Sequence, residues 1–161
     1  MTEQPFTHLD SAGHARMVAV TAKQPTIRSA TASGRVVCGP DVVAALRSGG
    51  VPKGDVLAVA RIAGISAAKR TAELLPLAHV IGVHGAVVDL EIDDEGVAIT
   101  ATVRTADRTG VEMEALTAVS VAALAVVDMV KGLDKSVRIA DVRLEAKTGG
   151  KSGDWLRSRD A

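Results

Sequence analysis

Between Thr109 and Gly132 the chain carries a segment that is apolar on nearly every helical face, with Leu116, Val119, Ala122, Leu124, Val126 and Val127 spread around it. A helix with no polar side cannot rest on a surface; the rest of the fold must wrap it. At 161 residues the chain suits one domain with a real core, built around that segment. Its charges gather at the ends: Glu112 and Glu114 at the start, Asp128 and Lys131 at the finish. No apolar run long enough to cross a bilayer is free of charge, so the reading is of a core helix in a soluble, cytoplasmic protein.

The other elements follow from local signals. Residues 1–15 read as an irregular segment, residues 16–153 as one domain and 154–161 as a tail. β-branched, alternating residues predict a strand from Thr26 to Cys38. Gly39-Pro40-Asp41 opens a short helix to Arg47, which Gly49-Gly50 ends. A longer helix is predicted from the N-cap Asp55 to about Leu75, with Pro76 as its stop and Val56, Val59, Ile62, Ile65 and Ala68 as its apolar set. Strands from Val80 to Ile92 and Gly96 to Thr105 flank the turn Asp93-Asp94-Glu95-Gly96, a hairpin signal. Thr109-Gly110-Val111-Glu112 has capping-box spacing at the start of the long helix. A last strand runs from Val137 to Ala146. Without the short helix the order is β-α-β-β-α-β, a ferredoxin-like α+β pattern in which helices pack on an antiparallel sheet. That fold hosts many functions and selects none.

Composition excludes several classes of partner. Nineteen basic residues balance nineteen acidic ones, so no bulk field favours nucleic acid or an anionic membrane. Phe6 and Trp155 are the sole aromatics, too few for a stacking platform. The lone Cys38 cannot form an internal disulfide and reads as a small buried residue. His8, His14 and His84 fit no metal-ligand spacing, and no Ser-His-Asp or thiol arrangement is present. A core of small Ala and Val side chains buries little area per residue and invites support from subunit interfaces.

Asp128 is the side chain that sequence logic singles out. Carboxylates near a helix C-terminus are electrostatically unfavourable, so this one needs a cation, and Lys131 stands three residues on, on the same face. Glu112 and Lys131 by themselves suit the two ends of the helix dipole. Lys53 precedes a helix; Lys147 and Lys151 flank glycines. A lysine in a partly desolvated pocket can act as general acid or base near neutral pH, and the same cations can neutralise a triphosphate. Gly150-Lys151-Ser152 departs from a P-loop, with Glu145 where a glycine is required and no helix to follow; a glycine-rich tail able to close over an anion is what remains. His79 lies in a connection, where site residues concentrate.

Several blocks go beyond periodicity: Lys53-Gly54-Asp55, Ala60-Arg61-Ile62-Ala63-Gly64-Ile65, Ala67-Ala68-Lys69-Arg70-Thr71, Arg108 to Ala118 with its Thr-Gly-Val-Glu-Met-Glu-Ala-Leu-Thr-Ala run, Asp128-Met129, and Lys147 with Gly149 to Gly153. Through them the chain, from about His8 to Gly153, resembles the molybdenum cofactor biosynthesis protein C family, the cyclic pyranopterin monophosphate synthases. The resemblance implies a homohexamer, a trimer of dimers, with active sites between subunits. It implies conversion of 3′,8-cyclo-7,8-dihydroguanosine 5′-triphosphate to cyclic pyranopterin monophosphate and diphosphate. It assigns catalysis to Asp128, Lys53 and Lys131. Substrate contacts are carried to Leu77, His79, Met113 and Glu114, with Glu112, Lys69 and Lys147 in the pocket. No resident cofactor or metal is implied, with Mg²⁺ alongside the triphosphate left open.

The chain departs from the family pattern at Ala19, where an acid is usual, at Ala78 and Val80, where cysteine and proline are usual, and at Val127, where a tyrosine is common. The alternative reading is therefore a diverged, weakly active or inactive paralogue with a binding or regulatory role. Retention of Lys53, Asp128 and Lys131 favours the enzyme.

Overall fold

The computed structural model describes residues 8–158. Residues 1–7 of the irregular N-terminal segment, Phe6 among them, and residues 159–161 of the tail lie outside the described residues. The elements are β1 (Thr26–Val37), α1 (Pro40–Ser48), α2 (Val56–Ala68), α3 (Thr71–Leu74), β2 (Gly85–Asp93), β3 (Gly96–Asp107), α4 (Glu112–Val130), β4 (Arg138–Thr148) and β5 (Trp155–Leu156). The strands form one antiparallel sheet in the order β2-β3-β1-β4-β5. Its first four strands have the ferredoxin-like arrangement. β5 adds a short edge pairing, Lys147 opposite Trp155, in a stretch that reads as tail from sequence.

The core lies between one sheet face and the helices α2 and α4. Ala30, Ala32 and Val36 of β1 and Val97, Ile99, Ala101 and Val103 of β3 point inward, at the period of two that a half-buried strand requires. α4 covers them with Ala115, Ala118, Val119, Ala122, Val126 and Val130, all buried. By length and hydropathy α4 would pass for a bilayer-crossing helix, but half of it is buried inside the fold. The opposite sheet face is polar: Thr31 bonds Thr102 at 2.9 Å, Arg35 forks onto Asp93 at 2.8 and 2.5 Å, and the Ser33 hydroxyl donates to Glu145. The hairpin forms as expected, with Asp93 paired to Gly96 at φ 139°.

Three sequence expectations are corrected. The long helix predicted from Asp55 to Leu75 ends at Ala68, because the Thr71 hydroxyl takes the Ala67 and Ala68 carbonyls at 3.4 and 3.1 Å and the backbone turns into the separate α3. Its buried face differs in part: Val56 and Ala68 are inside as expected, with Ala60, Gly64 and Ala67, while Val59 and Ile62 stand 44% and 68% exposed. Gly64 explains this, since a Cβ there would lie 2.8 Å from the Ala118 carbonyl of α4. Backbones that approach so closely need small residues between them, so the larger ones turn outward. Finally, residues 80–84 hold to the sheet without joining its ladder: His84 donates to the Arg104 carbonyl at 3.0 Å and Thr105 to the Gly82 carbonyl at 2.6 Å, so β2 begins at Gly85.

Candidate active site

α2 and α4 run antiparallel, with Gly64 opposite Ala118 and Ala122. That brings Lys53, just before α2, to the last turn of α4. Asp128 there holds one amine on each carboxylate oxygen: Lys131 on Oδ1 at 2.8 Å and Lys53 on Oδ2 at 3.1 Å. Lys53 Nζ also donates to the Asp128 carbonyl at 2.8 Å, satisfying one of the carbonyls that a helix end leaves unpaired. The misplaced carboxylate thus has two compensating cations. The Lys131 and Lys53 ammonium groups hold the Asp128 carboxyl below its ordinary value. All three side chains are about half exposed, so the cluster is open to solvent on a single chain.

A second cluster lies at the other end of α4. A chamber of about 360 Å³ is lined by Leu77, Ala78 and His79 from the α3–β2 connection, by Thr109 to Glu114 except Val111, and by His8, Val18, Val20 and Lys23. Glu114 is 4% exposed, and burial pushes its carboxyl up to about 6, with the Glu112 charge adding and His79 opposing. His79 donates from Nε2 to the Val18 carbonyl at 2.6 Å; a carbonyl only accepts, so that nitrogen carries the proton. Met113 is 44% exposed at the chamber mouth. The capping box does not form: the N-cap is Val111, with no side-chain bond. Glu112 folds back over Gly110, where no Cβ would fit, and meets Lys147 at 3.8 Å. A carboxylate engaged by a lysine is not free to close the box.

Residues 17–150 match the MoaC family. The chain belongs to that family. A cyclic pyranopterin monophosphate synthase of Streptomyces coelicolor is 66% identical over 153 residues, covering 95% of this chain and 90% of the relative. The synthase so named in Nocardioides sp. is 60% identical over 162 residues, 98% of this chain and 99% of its own. That of Chloroflexus aurantiacus is 57% identical over 156 residues, 96% of each.

Two of the four departures from the family pattern, Ala19 and Val80, are accommodated locally. Ala19 is exposed while Val18 and Val20 face the chamber, so the missing acid leaves the lining in place. Val80 is 91% exposed, and the Val18 carbonyl holds the His79 ring in place of any stiffening by a proline at 80. Of the residues that the resemblance carries over, Lys53, Asp128 and Lys131 converge at one end of α4. Leu77, His79, Glu112, Met113 and Glu114 share the chamber at the other, with Lys147 beside Glu112. Lys69 caps the C-terminus of α2, exposed and outside the chamber lining. His8, Val18, Val20 and Lys23 complete the chamber without having been marked by sequence reasoning; their only signal is a segment rich in neither apolar period nor turn residues. Among the described residues no group of three His, Cys, Asp or Glu is placed to hold a metal ion.

Proposed function

We propose that this chain is a cyclic pyranopterin monophosphate synthase, a lyase of molybdenum cofactor biosynthesis acting on 3′,8-cyclo-7,8-dihydroguanosine 5′-triphosphate. The observation that carries the reading is one carboxylate gripping two amines, in a chain whose close relatives bear that name. Opening and reclosing the purine-derived ring requires protons to move on and off ring atoms. Lys53 and Lys131 are the groups for that work, and Asp128 orients both. A ribose-derived hydroxyl then gives its proton to a neutral lysine amine as its oxygen bonds to the first phosphorus, the bond to the bridging oxygen breaks, and diphosphate leaves with the electron pair. Nearby ammonium groups stabilise the accumulating charge.

The chamber supplies recognition. Glu112, Glu114 and His79 offer polar atoms suited to the N–H edge of a guanine-derived ring, over the apolar bodies of Leu77 and Met113. Glu114 and Asp128 are fourteen residues apart on one helix, about 21 Å along its axis. A catalytic amine must come within hydrogen-bond reach, about 3 Å, of the atom it protonates. One chain therefore cannot apply its own triad to a ring in its own chamber. We infer a composite site, with the chamber of one copy closed by the lysines of another, in a cytoplasmic homohexamer built as a trimer of dimers. Covering the triad with a second chain also removes it from water, which a working lysine needs.

The test is incubation of the purified protein with the cyclised nucleotide, following pyranopterin product and diphosphate together. Stoichiometric release of both is expected. Tight binding with no diphosphate at any enzyme concentration would favour the inactive paralogue.

A further inference from the structure

Beyond His79 the chain fastens itself to the end of β3 before β2 begins. Four hydrogen bonds hold it: the His84 amide to the Arg104 carbonyl at 3.0 Å, the Thr105 hydroxyl to the Gly82 carbonyl at 2.6 Å, the Gly82 amide to Asp107 Oδ2 at 3.3 Å, and the Ala106 amide to His84 Nδ1 at 3.0 Å. In the last of these an imidazole nitrogen stands where a continued strand would offer a carbonyl. A backbone N–H only donates, so Nδ1 holds a lone pair and Nε2 carries the proton of the neutral ring. Nε2 lies over Gly82, where an added Cβ would stand 3.0 Å from it. The ring is seated on the segment that it secures.

The Ala106 bond exists only while the ring is neutral. Taking up a proton makes Nδ1 a donor facing a second donor, and attraction becomes repulsion. Residues 80–83 carry no charge of their own, so the charged neighbours come from β3 and the turn after it. Asp107 is the carboxylate that feels the ring's charge. The Arg108 amide foremost, then the Gly82 amide, hold its carboxyl below the ordinary value, so it stays ionised wherever imidazoles titrate. Arg104, whose Cβ faces Gly85, and Arg108, whose Nε donates to the Lys23 carbonyl, bring like charge. An imidazolium drawn to Asp107 competes with the Gly82 amide for Oδ2. Protonation therefore disturbs two of the four bonds and leaves the other two in place.

We propose that His84 is an acid-sensitive clasp on the connection that lines the chamber. Its neutral ring fastens residues 80–84 to β3; protonation releases the Ala106 amide, turns the ring to Asp107 and slackens the chain that carries Leu77, Ala78 and His79 into the chamber. The bonds from the His84 amide and the Thr105 hydroxyl keep the segment on the sheet, so release loosens the connection without unfolding it. The effect on recognition rests on the function proposed above; the clasp itself does not.

Residue-resolved hydrogen exchange at the Ala106 amide tests it on the whole assembly, from about pH 7.5 to about pH 5, the range over which imidazoles charge, with rates corrected for intrinsic chemistry. Wild-type protection should fall by about tenfold or more, the loss of one hydrogen bond. His84→Asn puts an amide oxygen in place of Nδ1 and does not titrate, so its protection should hold; His84→Ala, without an acceptor, should be low throughout. If the asparagine falls short of the amide it will match the alanine, and wild type converging on that level in acid sustains the clasp. Glu114 titrates in the same range, so the fall must persist in Glu114→Gln; a fall that vanishes there overturns the clasp. So does wild-type protection that ignores pH, or an equal fall in His84→Asn. With the cyclised nucleotide, acid should raise the wild-type KM severalfold more than that of His84→Asn, with the same kcat profile in both. Matching KM profiles, with exchange still separating the two proteins, sustain the clasp and overturn its link to the chamber. A wild type inert towards the nucleotide overturns the enzymatic reading, while exchange still decides the clasp.

Discussion

Asp128 shows how much one side chain can organise. Each of its oxygens holds a different lysine, and its backbone carbonyl takes a further bond from one of them. Lys53→Ala and Lys131→Ala should each lower kcat by about 10²-fold or more, the usual worth of a general acid or base, without changing assembled mass. Single-turnover kinetics with light scattering checks both; either variant turning over at the wild-type rate removes that lysine from the chemistry. Glu114 makes the opposite demand. Its folded pKa, about 6, stands above the ordinary 4.5, so the fold prefers the neutral acid. That preference contributes fully below pH 4.5 and is lost as pH rises through 6, a cost of about 2 kcal/mol once the group is ionised. Glu114→Gln cannot ionise. Its melting temperature relative to wild type should therefore climb from pH 4.5 to 7 and then level off, and a gap that ignores pH would show that burial does not penalise the charge.

At the scale of elements, α2 and α4 carry the argument. Their approach is closest at Gly64, where an added Cβ would meet the Ala118 carbonyl and the Ala122 Cβ, a seam with no room for a methyl group at position 64. Gly64→Ala is expected to destabilise by about 1–3 kcal/mol through overpacking, even though alanine is the better helix former. Urea denaturation reads this directly; a stabilised variant would mean the seam has slack. The same seam explains why helical periodicity identified α2 and its buried Val56 and Ala68 but misplaced Val59 and Ile62. Hydrophobicity marks Val59 and Ile62 as inward, whereas the close approach of two backbones selects for smallness and leaves them outside. Likewise the Thr109–Glu112 spacing is that of a capping box, but Lys147, from a strand 35 positions further on, claims the Glu112 carboxylate.

For the whole molecule, the separation of chamber and triad is decisive. If two copies complete each other's sites, Lys131→Ala and Glu112→Ala chains, each inactive alone, should complement when co-assembled. Random pairing in two-fold dimers restores about a quarter of wild-type turnover, since half the pairs are mixed and one of their two sites is intact. Mixed assemblies as inactive as their parents would place both halves of the site in one chain. Much of this protein was legible without coordinates. The order β-α-β-β-α-β, the core helix, the hairpin, the Asp55 cap and the Asp128–Lys131 pair all follow from neighbours within a few residues, which is the range over which period, capping and helix electrostatics act. Only the tertiary structure decided that Lys53 joins Asp128 across 75 positions, that Glu114 is buried, and that the His84 ring takes the Ala106 amide. Those placements depend on the order of strands in the sheet and on how closely two helices approach, and no local pattern of residues encodes a distance between elements.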